Sequence, residues 1–367
     1  MYVDRILRNS LIFPLFLKKN QRISHGKIET RNYGGVCMSG SVFVLGSGFS
    51  KEVAGYPTLQ ELSLEIGKWI TECNEPEANF IKNNVSNEIQ NNLEHLLSYL
   101  WIEQPWHDVI DQIRAKAAYV FVTRQLQNIF ASRKVPDFND SHLALAKSWD
   151  KSRSMLITFN YDTVIEKLAL QLGKVDLLSD LYCVAVAPLH SRNQGFGHGT
   201  IIKPKFHLLK LHGSLNWFYT GDASYAGQPI YYTHSSQLQL PEEHQDLAPI
   251  IIPPVMDKNR FYFHNALKHQ WRLAKKSIQE AEHVFFIGYS IPSTDFSIQF
   301  FLKEAFMQSK AKVFVIVKES DSEQANEIKV RYEKIFKGGL VQFEFKNATS
   351  PSLTWIQDNL NKLNINK

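Results

Sequence analysis

Residues 41–58 read Ser-Val-Phe-Val-Leu-Gly-Ser-Gly-Phe-Ser-Lys-Glu-Val-Ala-Gly-Tyr-Pro-Thr, and this stretch decides which fold we expect. The apolar run at residues 42–45 predicts a buried strand, and Gly46 and Gly48 follow it at once. Glycines at that point allow a tight turn and let the backbone come close to a ligand. The stretch therefore predicts a strand followed by a loop that binds phosphate groups.

A helix should begin soon after this loop. Thr58 is its expected cap, because Glu61 stands three residues further on and completes a capping box. The N–H groups and partial positive charge at a helix start suit a pyrophosphate, so a dinucleotide is the ligand the pattern favours. The dehydrogenase fingerprint would need a third glycine where this chain has Lys51, so the loop is not that fingerprint. Taken alone, an ordinary tight turn remains an alternative.

The overall composition is that of a globular protein with one large domain or two unequal ones. The chain has 367 residues, of which 44% are hydrophobic and 21% charged. Its formal charge is +5, but residues 1–36 alone hold seven Lys or Arg and two acidic residues. The remainder is close to neutral, whereas a surface for nucleic acid needs a basic stripe. We therefore expect no direct nucleic-acid ligand.

The cysteines indicate a reducing compartment. Cys37, Cys73 and Cys183 are odd in number and far apart, which fits neither a disulfide framework nor a Cys-x-x-Cys metal site. Residues 1–37 form a basic leader without a cleavage site, and no apolar stretch has the length of a membrane span. We expect a cytoplasmic protein with no membrane contact, whose leader is disordered or precedes a true start at Met38.

Residues 60–150 have apolar positions at helical spacing and predict a helical insertion. Two buried faces are expected, one made of Ile89, Leu93, Leu96, Leu97 and Leu100, the other of Val109, Ile113, Ala117, Val120 and Phe121. This insertion could bind a second copy or another partner, or it could serve packing alone.

Apolar runs at residues 155–159, 208–211, 283–287, 313–317 and 341–345 predict further strands that alternate with helices. The alternation predicts an α/β fold, a Rossmann-like parallel sheet with helices on both faces. We expect this core to comprise residues 38–59 and 151–346, with a smaller strand-containing module at 215–260 and a tail or helix at 347–367.

Polar residues directly follow three of these strands. Asn160 and Asp162 come after the first, the pair His212-Gly213 after the second, and Gly288 opens the segment after the third. Open α/β sheets bind ligands at the carboxyl ends of their strands. An imidazole there suits a general base, although a lone His-Gly pair is often structural and Asp162 or Thr163 could simply cap a helix.

Four motifs together resemble a known family. They are Gly46-Ser-Gly-Phe-Ser50 with Gly55-Tyr-Pro57, Thr158-Phe-Asn160-Tyr-Asp162, His212-Gly213, and Gly288-Tyr-Ser290. Their order and spacing resemble the Sir2 (sirtuin) fold, and more closely the Sir2-like domains of bacterial antiviral defence systems. The resemblance covers residues 40 to about 320.

The resemblance implies where NAD would bind. The loop for its pyrophosphate would be Gly46, Ser47, Gly48, Phe49 and Ser50, and the adenosine ribose would lie at Gly288, Tyr289 and Ser290. Pro57 would belong to the segment that folds over the nicotinamide half. The catalytic group would be Asn160, which orients the ribose and the attacking water, Asp162 near the carboxamide, and His212 as general base.

One departure from the sirtuin pattern weakens any expectation of lysine deacylation. The zinc module with four cysteines is missing, since only Cys183 lies in the smaller half, and we expect no metal. Cleavage of NAD without transfer to a protein is still expected when the zinc module is missing. The resemblance therefore implies an NAD glycohydrolase that depletes NAD during antiphage defence. A homo-oligomer and a separately encoded partner, such as an ATPase or sensor, are also expected.

Other functions remain open. A deacylase or ADP-ribosyltransferase of the same family would need an acceptor groove. A noncatalytic module that binds NAD or ADP-ribose for assembly would not need Asn160 and His212. A nuclease effector would need a cluster of paired carboxylates for metal, which the sequence does not suggest.

Overall fold

The structure is a computed structural model of the 367-residue chain. It describes residues 40–133, 137–173, 178–189, 204–219, 229–233, 247–255, 262, 264–293, 295–318, 322–336 and 343–347. The predicted leader at 1–37 lies outside these residues, and so does the predicted tail at 347–367 apart from Asn347.

The described part alternates between strands and helices. The strands are β1 Ser41–Leu45, β2 Met155–Thr158, β3 Val186–Pro188, β4 His207–Lys210, β5 Gly213–Tyr219, β6 Ile230–Tyr232, β7 Ala248–Ile251, β8 His283–Ile287, β9 Lys312–Val317 and β10 Phe343–Asn347. The helices are α1 Ser47–Ala54, α2 Leu59–Glu72, α3 Pro76–Asn84, α4 Asn87–Gln90, α5 Leu93–Trp101, α6 Val109–Ser132, α7 Asp140–Ser152, α8 Val164–Gln171, α9 Asn265–Glu280, α10 Phe296–Phe306 and α11 Ser322–Phe336.

Six strands form one parallel sheet in the order β10-β9-β8-β1-β2-β4. Alternate side chains of each strand enter different apolar clusters. Phe43 and Leu45 of β1 pack with the helices before β2, whereas Val42 and Val44 pack with α9, α10 and α11. Both faces are thus covered, which is why these strands are continuous apolar runs in the sequence. The predicted α/β Rossmann-like fold is confirmed.

The sheet has a topological switch point beside β1. The chain runs outward from β1 to β2 and β4, then returns to place β8 on the other side of β1 and continues to β9 and β10. Helices α1 and α10, which follow β1 and β8, therefore pack on opposite faces of the sheet. In open α/β sheets ligands bind at the carboxyl ends of the strands beside such a point.

The first helix begins earlier than predicted. We expected it to begin after Thr58, but α1 begins at Ser47, directly after Gly46, and ends two turns later at a left-handed Gly55 with φ of 69°. Two turns are too short to show a helical apolar period. The capping box of Thr58 and Glu61 is confirmed, and it belongs to α2.

The predicted buried face of α6 is wrong. Val109, Ile113 and Val120 are exposed, at 70%, 63% and 45%, and the helix buries the opposite side. That side consists of Ala115, Ala118, Tyr119, Val122, Leu126, Ile129 and Phe130. Apolar residues lie on both sides of this helix, so spacing alone could not identify the buried one. The face predicted at 93–100 is correct, since Leu93, Leu96, Leu97 and Leu100 are buried.

A second sheet has the order β3-β6-β5-β7. It extends beyond the predicted module at 215–260, because β3 precedes that range and β5 already begins at Gly213. Gly213 and Ser214 have little strand preference, so the sequence pattern does not indicate that β5 begins there. Only Leu211 and His212 separate β4 of the large sheet from β5 of the small one.

Among the helices in the described ranges, none combines the length and the apolar character needed to cross a membrane.

Candidate functional site

A cavity of about 1440 Å³ opens at the carboxyl edge of the large sheet. Its walls come from the ends of β1, β2, β4, β8 and β9, with α2 and α11 further out. Most predicted site residues line it: Ser47, Gly48, Ser50, Pro57, Asn160, Asp162, His212, Gly288, Tyr289 and Ser290. The switch point thus brings together residues that are far apart in the sequence.

Gly46 and Phe49 have other positions. The carbonyl of Gly46 accepts a hydrogen bond from Asn160 Nδ2 at 2.8 Å, so this glycine holds another site residue in place. The ring of Phe49 is almost fully buried, with its centroid 6.2 Å from that of Trp149 in α7. Phe49 therefore anchors α1 in the core.

The loops after β1 and β8 touch backbone to backbone. Gly48 N donates to the carbonyl of Gly288 at 2.9 Å, and Gly46 N donates to that of Ile287 at 3.0 Å. Gly288 has a φ of 59°, and a Cβ on it would lie 2.3 Å from Phe49 N. The glycines thus let the two loops pack closely. No side chain caps α1, although the carbonyl of Gly288 already accepts from Gly48 N in its first turn, and the positive end of the helix reaches the cavity at Ser47.

We expect Gly48→Ala to destabilise the protein by about 1–3 kcal/mol, as overpacking against rigid neighbours does. A Cβ on Gly48 would lie 2.9 Å from both Cα and O of Gly288, and these backbone atoms cannot turn away. Thermal unfolding measures the change. Gly67→Ala is the matched control, since its Cβ would meet no atom closer than 3.9 Å and alanine favours the helix. Equal melting temperatures for the two variants would contradict this account of the loop contact.

Asn160 is held at a fixed orientation. Its Nδ2 donates to the carbonyl of Gly46 and to Ser50 Oγ, both at 2.8 Å. A carbonyl can only accept, so the bond to Gly46 assigns the nitrogen and oxygen of the amide. Its backbone N also donates to Thr158 Oγ1 at 3.0 Å. Both amide hydrogens are used, which leaves Oδ1 as the atom that can accept a hydrogen bond from a ligand hydroxyl or a water.

Asp162 is buried at the start of α8. Its Oδ1 accepts from Val164 N at 3.0 Å, but the capping position of α8 is Thr163, so Asp162 lies one residue before the cap. Burial raises the pKa of Asp162, although the positive charge of Lys210 and a hydrogen bond from Ser50 lower it in part. Ser50 thus links Asn160 to Asp162.

His212 lies between the two sheets, in a wall of aromatic rings. It is 5% exposed, and its ring centroid is 5.2 Å from that of Phe159, 6.2 Å from Trp271 and 6.5 Å from Tyr161. Its carbonyl accepts from Ile252 N at 2.9 Å. These contacts restrict the imidazole to a narrow range of positions at the cavity wall.

Sequence reasoning missed a buried ion pair beneath the site. Lys210 Nζ lies 2.9 Å from Glu166 Oε1, and the two side chains are 0% and 2% exposed. The signal was present, because a lysine within the apolar run at residues 208–211 is unusual for a buried strand.

Three further cavity residues were also missed. Asp295 is buried and caps α10, where its Oδ1 accepts from Ile298 N at 3.2 Å. Lys318 and Arg331 supply positive charge to the wall formed by β9 and α11, where Arg331 Nη1 donates to the carbonyl of Ser290 at 3.4 Å. Anionic groups of a ligand would be favoured beside this wall.

Within the described ranges, no group of three or more His, Cys, Asp or Glu side chains could hold a metal ion.

Comparison with family models gives one match. Residues 154–336 match the model of the SIR2-like domain. The matched segment runs from the residue before β2 to the end of α11, and it includes Asn160, Asp162, His212 and Gly288. No curated protein matches the chain significantly.

Proposed function

We propose that this chain, with its SIR2-like domain at residues 154–336, cleaves the bond between nicotinamide and ribose in NAD and releases nicotinamide and ADP-ribose. A SIR2-like domain is typical of a sirtuin-type fold that binds or uses NAD. The observation that supports cleavage most directly is the fixed Oδ1 of Asn160 in the same cavity as His212.

The described residues fit a dinucleotide. Helix α1 would offer its positive N-terminal end, which no side chain caps, to the pyrophosphate, and Ser47 and Gly48 line the cavity at that point. Phe159 and Tyr289 also line the cavity, and their rings stack at 5.0 Å to give an apolar surface for a planar base. Asp162 also lines the cavity, and the resemblance to sirtuins would place the carboxamide of the nicotinamide near it.

The reaction requires groups that position the ribose and the attacking water, and a group that accepts a proton. As the bond from ribose C1′ to the pyridinium nitrogen breaks, its electron pair goes to that nitrogen, and neutral nicotinamide leaves. Positive charge develops on the ribose, and the oxygen of a water forms a new bond to C1′. Oδ1 of Asn160 would accept a hydrogen bond from this water or from a ribose hydroxyl, and His212 would take the proton.

A second function is a noncatalytic module that binds NAD or ADP-ribose. The burial of His212 favours it, because an imidazole that is 5% exposed also fills space between two sheets. A deacylase or ADP-ribosyltransferase of the same family would use the same NAD site with a different acceptor. These alternatives differ from hydrolysis in their products.

Product analysis tests the proposal. The purified protein is incubated with NAD, and the products are separated by chromatography. Equal amounts of nicotinamide and ADP-ribose are expected, and at least ~10²-fold less of both from the His212→Asn variant in the same time. NAD that binds but stays intact would support the noncatalytic module, and ADP-ribose joined to an added protein would support a transferase.

We further propose that the activity depletes cytoplasmic NAD as part of antiphage defence. An unrestrained NAD hydrolase would harm its own cell, and the sequence contains no Gly-x-x-x-x-Gly-Lys-Ser/Thr motif for a nucleotide sensor of its own. A separately encoded ATPase or sensor would then release the restraint. NAD measured in cells with and without phage, in the presence of the parental chain or His212→Asn, tests this role.

The exposed face of α6 is where we propose that a second copy binds. Val109, Ile113 and Val120 run along one side of this 24-residue helix. A second copy is the partner we propose, because an antiparallel pair of these helices would bury the same apolar residues on both copies. Large apolar patches on protein surfaces often mark interfaces.

Ile113→Glu is expected to convert the oligomer to monomer, because it places a carboxylate in the centre of this face. Light scattering measures the mass in solution. Met307→Glu is the matched control, since Met307 is similarly exposed, at 67% against 63% for Ile113, but lies just after α10. A monomeric parental chain, or equal loss of mass in both variants, would contradict the proposed face.

A further inference from the structure

We propose that Lys210, together with Glu166, is a positioning residue of the NAD-cleaving site: from beneath the cavity it fixes the turn that holds Asn160 and Asp162. This inference rests on the proposed function. Neither Lys210 nor Glu166 lines the cavity, so both would act through the turn and not on the substrate.

The contacts of Lys210 converge on that turn. Its Nζ donates to the carbonyl oxygen of Asp162 and to Glu166 Oε1 at 2.9 Å, and lies 3.5 Å from the carbonyl oxygen of Tyr161. An ammonium has three hydrogens, and each has an acceptor here. Two of the three acceptors are successive carbonyls of the chain directly after Asn160. The ammonium therefore clamps the two peptide units between Tyr161 and Thr163, directly after Asn160 in the chain.

Stability alone does not explain a charged pair at this place. Taking two charges out of water is costly, and apolar residues of similar volume often replace a buried ion pair without loss of stability. An apolar pair could fill the space between β4 and α8. It could not bind two backbone carbonyls, which is the contact that orders the turn.

The pair is itself held from the second sheet. Glu166 Oε1 also accepts from the hydroxyl of Tyr182 at 2.9 Å, and Asn216 Nδ2 lies 3.1 Å from that hydroxyl. Asn216 is in β5 and donates to the carbonyl of Thr233 at 3.0 Å. The buried polar network thus runs from the small sheet to the turn, and it prevents the ammonium from shifting.

The position of the turn matters for turnover more than for binding. Asn160 Oδ1 would act on a water or hydroxyl at the reacting carbon, and a displacement of about 1 Å there costs on the order of 10²-fold in rate. Most contacts to the dinucleotide would come from other loops. Loss of the clamp should therefore lower kcat and leave KM nearly unchanged.

Two variants separate positioning from structure: Lys210→Met and the double variant Lys210→Met with Glu166→Met. We expect the single variant to lower the melting temperature because Glu166 is left buried without its partner. The double variant should recover most of that temperature. In both, kcat should stay roughly 10²-fold below the parental value. If kcat recovers together with the melting temperature, the pair is structural and the proposal is wrong.

Backbone hydrogen exchange tests the clamp without relying on catalysis. Mass spectrometry of the peptide covering residues 160–163 should show faster exchange in the double variant than in the parental protein. Unchanged exchange would overturn the proposal, whereas faster exchange in a protein that never cleaves NAD would reject the proposed function and keep the clamp.

If the methionine variants do not fold, Glu166→Gln keeps the shape and one acceptor oxygen. It should fold, lower kcat several-fold and speed exchange at 160–163, and a parental result in these measurements would equally overturn the proposal.

Discussion

His212→Asn is expected to lower the rate of NAD cleavage by ~10²–10⁴-fold, which is the usual cost of removing a general base. The imidazole lies at the cavity wall, between β4 and β5, and three aromatic rings restrict its position. Asparagine is chosen because the ring is almost fully buried, and alanine would leave a void between the sheets. A steady-state assay of nicotinamide release measures the loss.

His207→Asn is the matched control for this prediction. His207 begins β4, the strand that precedes His212, but does not line the cavity, and burial lowers its pKa. Its variant should cleave NAD at the parental rate. If His212→Asn does so as well, His212 is not the base, and its place between the sheets serves packing only.

Asn160→Ala is expected to lower kcat by about 10²-fold while NAD binding is largely kept. The side chain offers only Oδ1 to a ligand, because Nδ2 is bound to Gly46 and Ser50. One acceptor adds little to the affinity for a whole dinucleotide, but it decides where the attacking water stands. Calorimetry with ADP-ribose gives the affinity, and single-turnover kinetics gives the chemical step.

Ser50→Ala provides a graded comparison for Asn160→Ala. It removes one of the two bonds to Nδ2 and leaves the bond to Gly46, so Asn160 keeps its orientation with less restraint. A smaller fall in kcat is expected. A variant at Asn160 that changes only KM would show that this residue binds substrate and does not place the water.

The sheet could be predicted because its signals are local. A strand buried on both faces is a continuous apolar run, and the polar residues after it mark the site edge, as at Asn160 and His212. No local pattern could show that Lys210 meets Glu166, which is 44 residues away, or that the ring of Phe49 enters the core. Those contacts depend on how α1 and α8 pack on the sheet.

This dependence on tertiary packing also explains why the predicted buried face of α6 is wrong. Spacing identifies a helix, but it cannot choose between two apolar sides when both are present. The side of the helix with Val109 and Ile113 is as apolar as a buried side, so the sequence pattern does not show that it is exposed. The exposed side of such a helix can be identified only when the residues that pack against each side are known.

The position of β1 in the centre of the sheet has a consequence for synthesis. Val42 of β1 pairs with Met155 on one side and with Val284 on the other, so its second neighbour is translated more than 240 residues later. At ~5–20 residues per second, roughly 10–50 s pass between the two. During that time the cavity lacks the wall that the ends of β8 and β9 and helix α11 provide. The nascent chain therefore has no complete candidate site until Gly288 and Ser290 have left the ribosome, and under the proposed function partly made chains would leave the NAD pool intact.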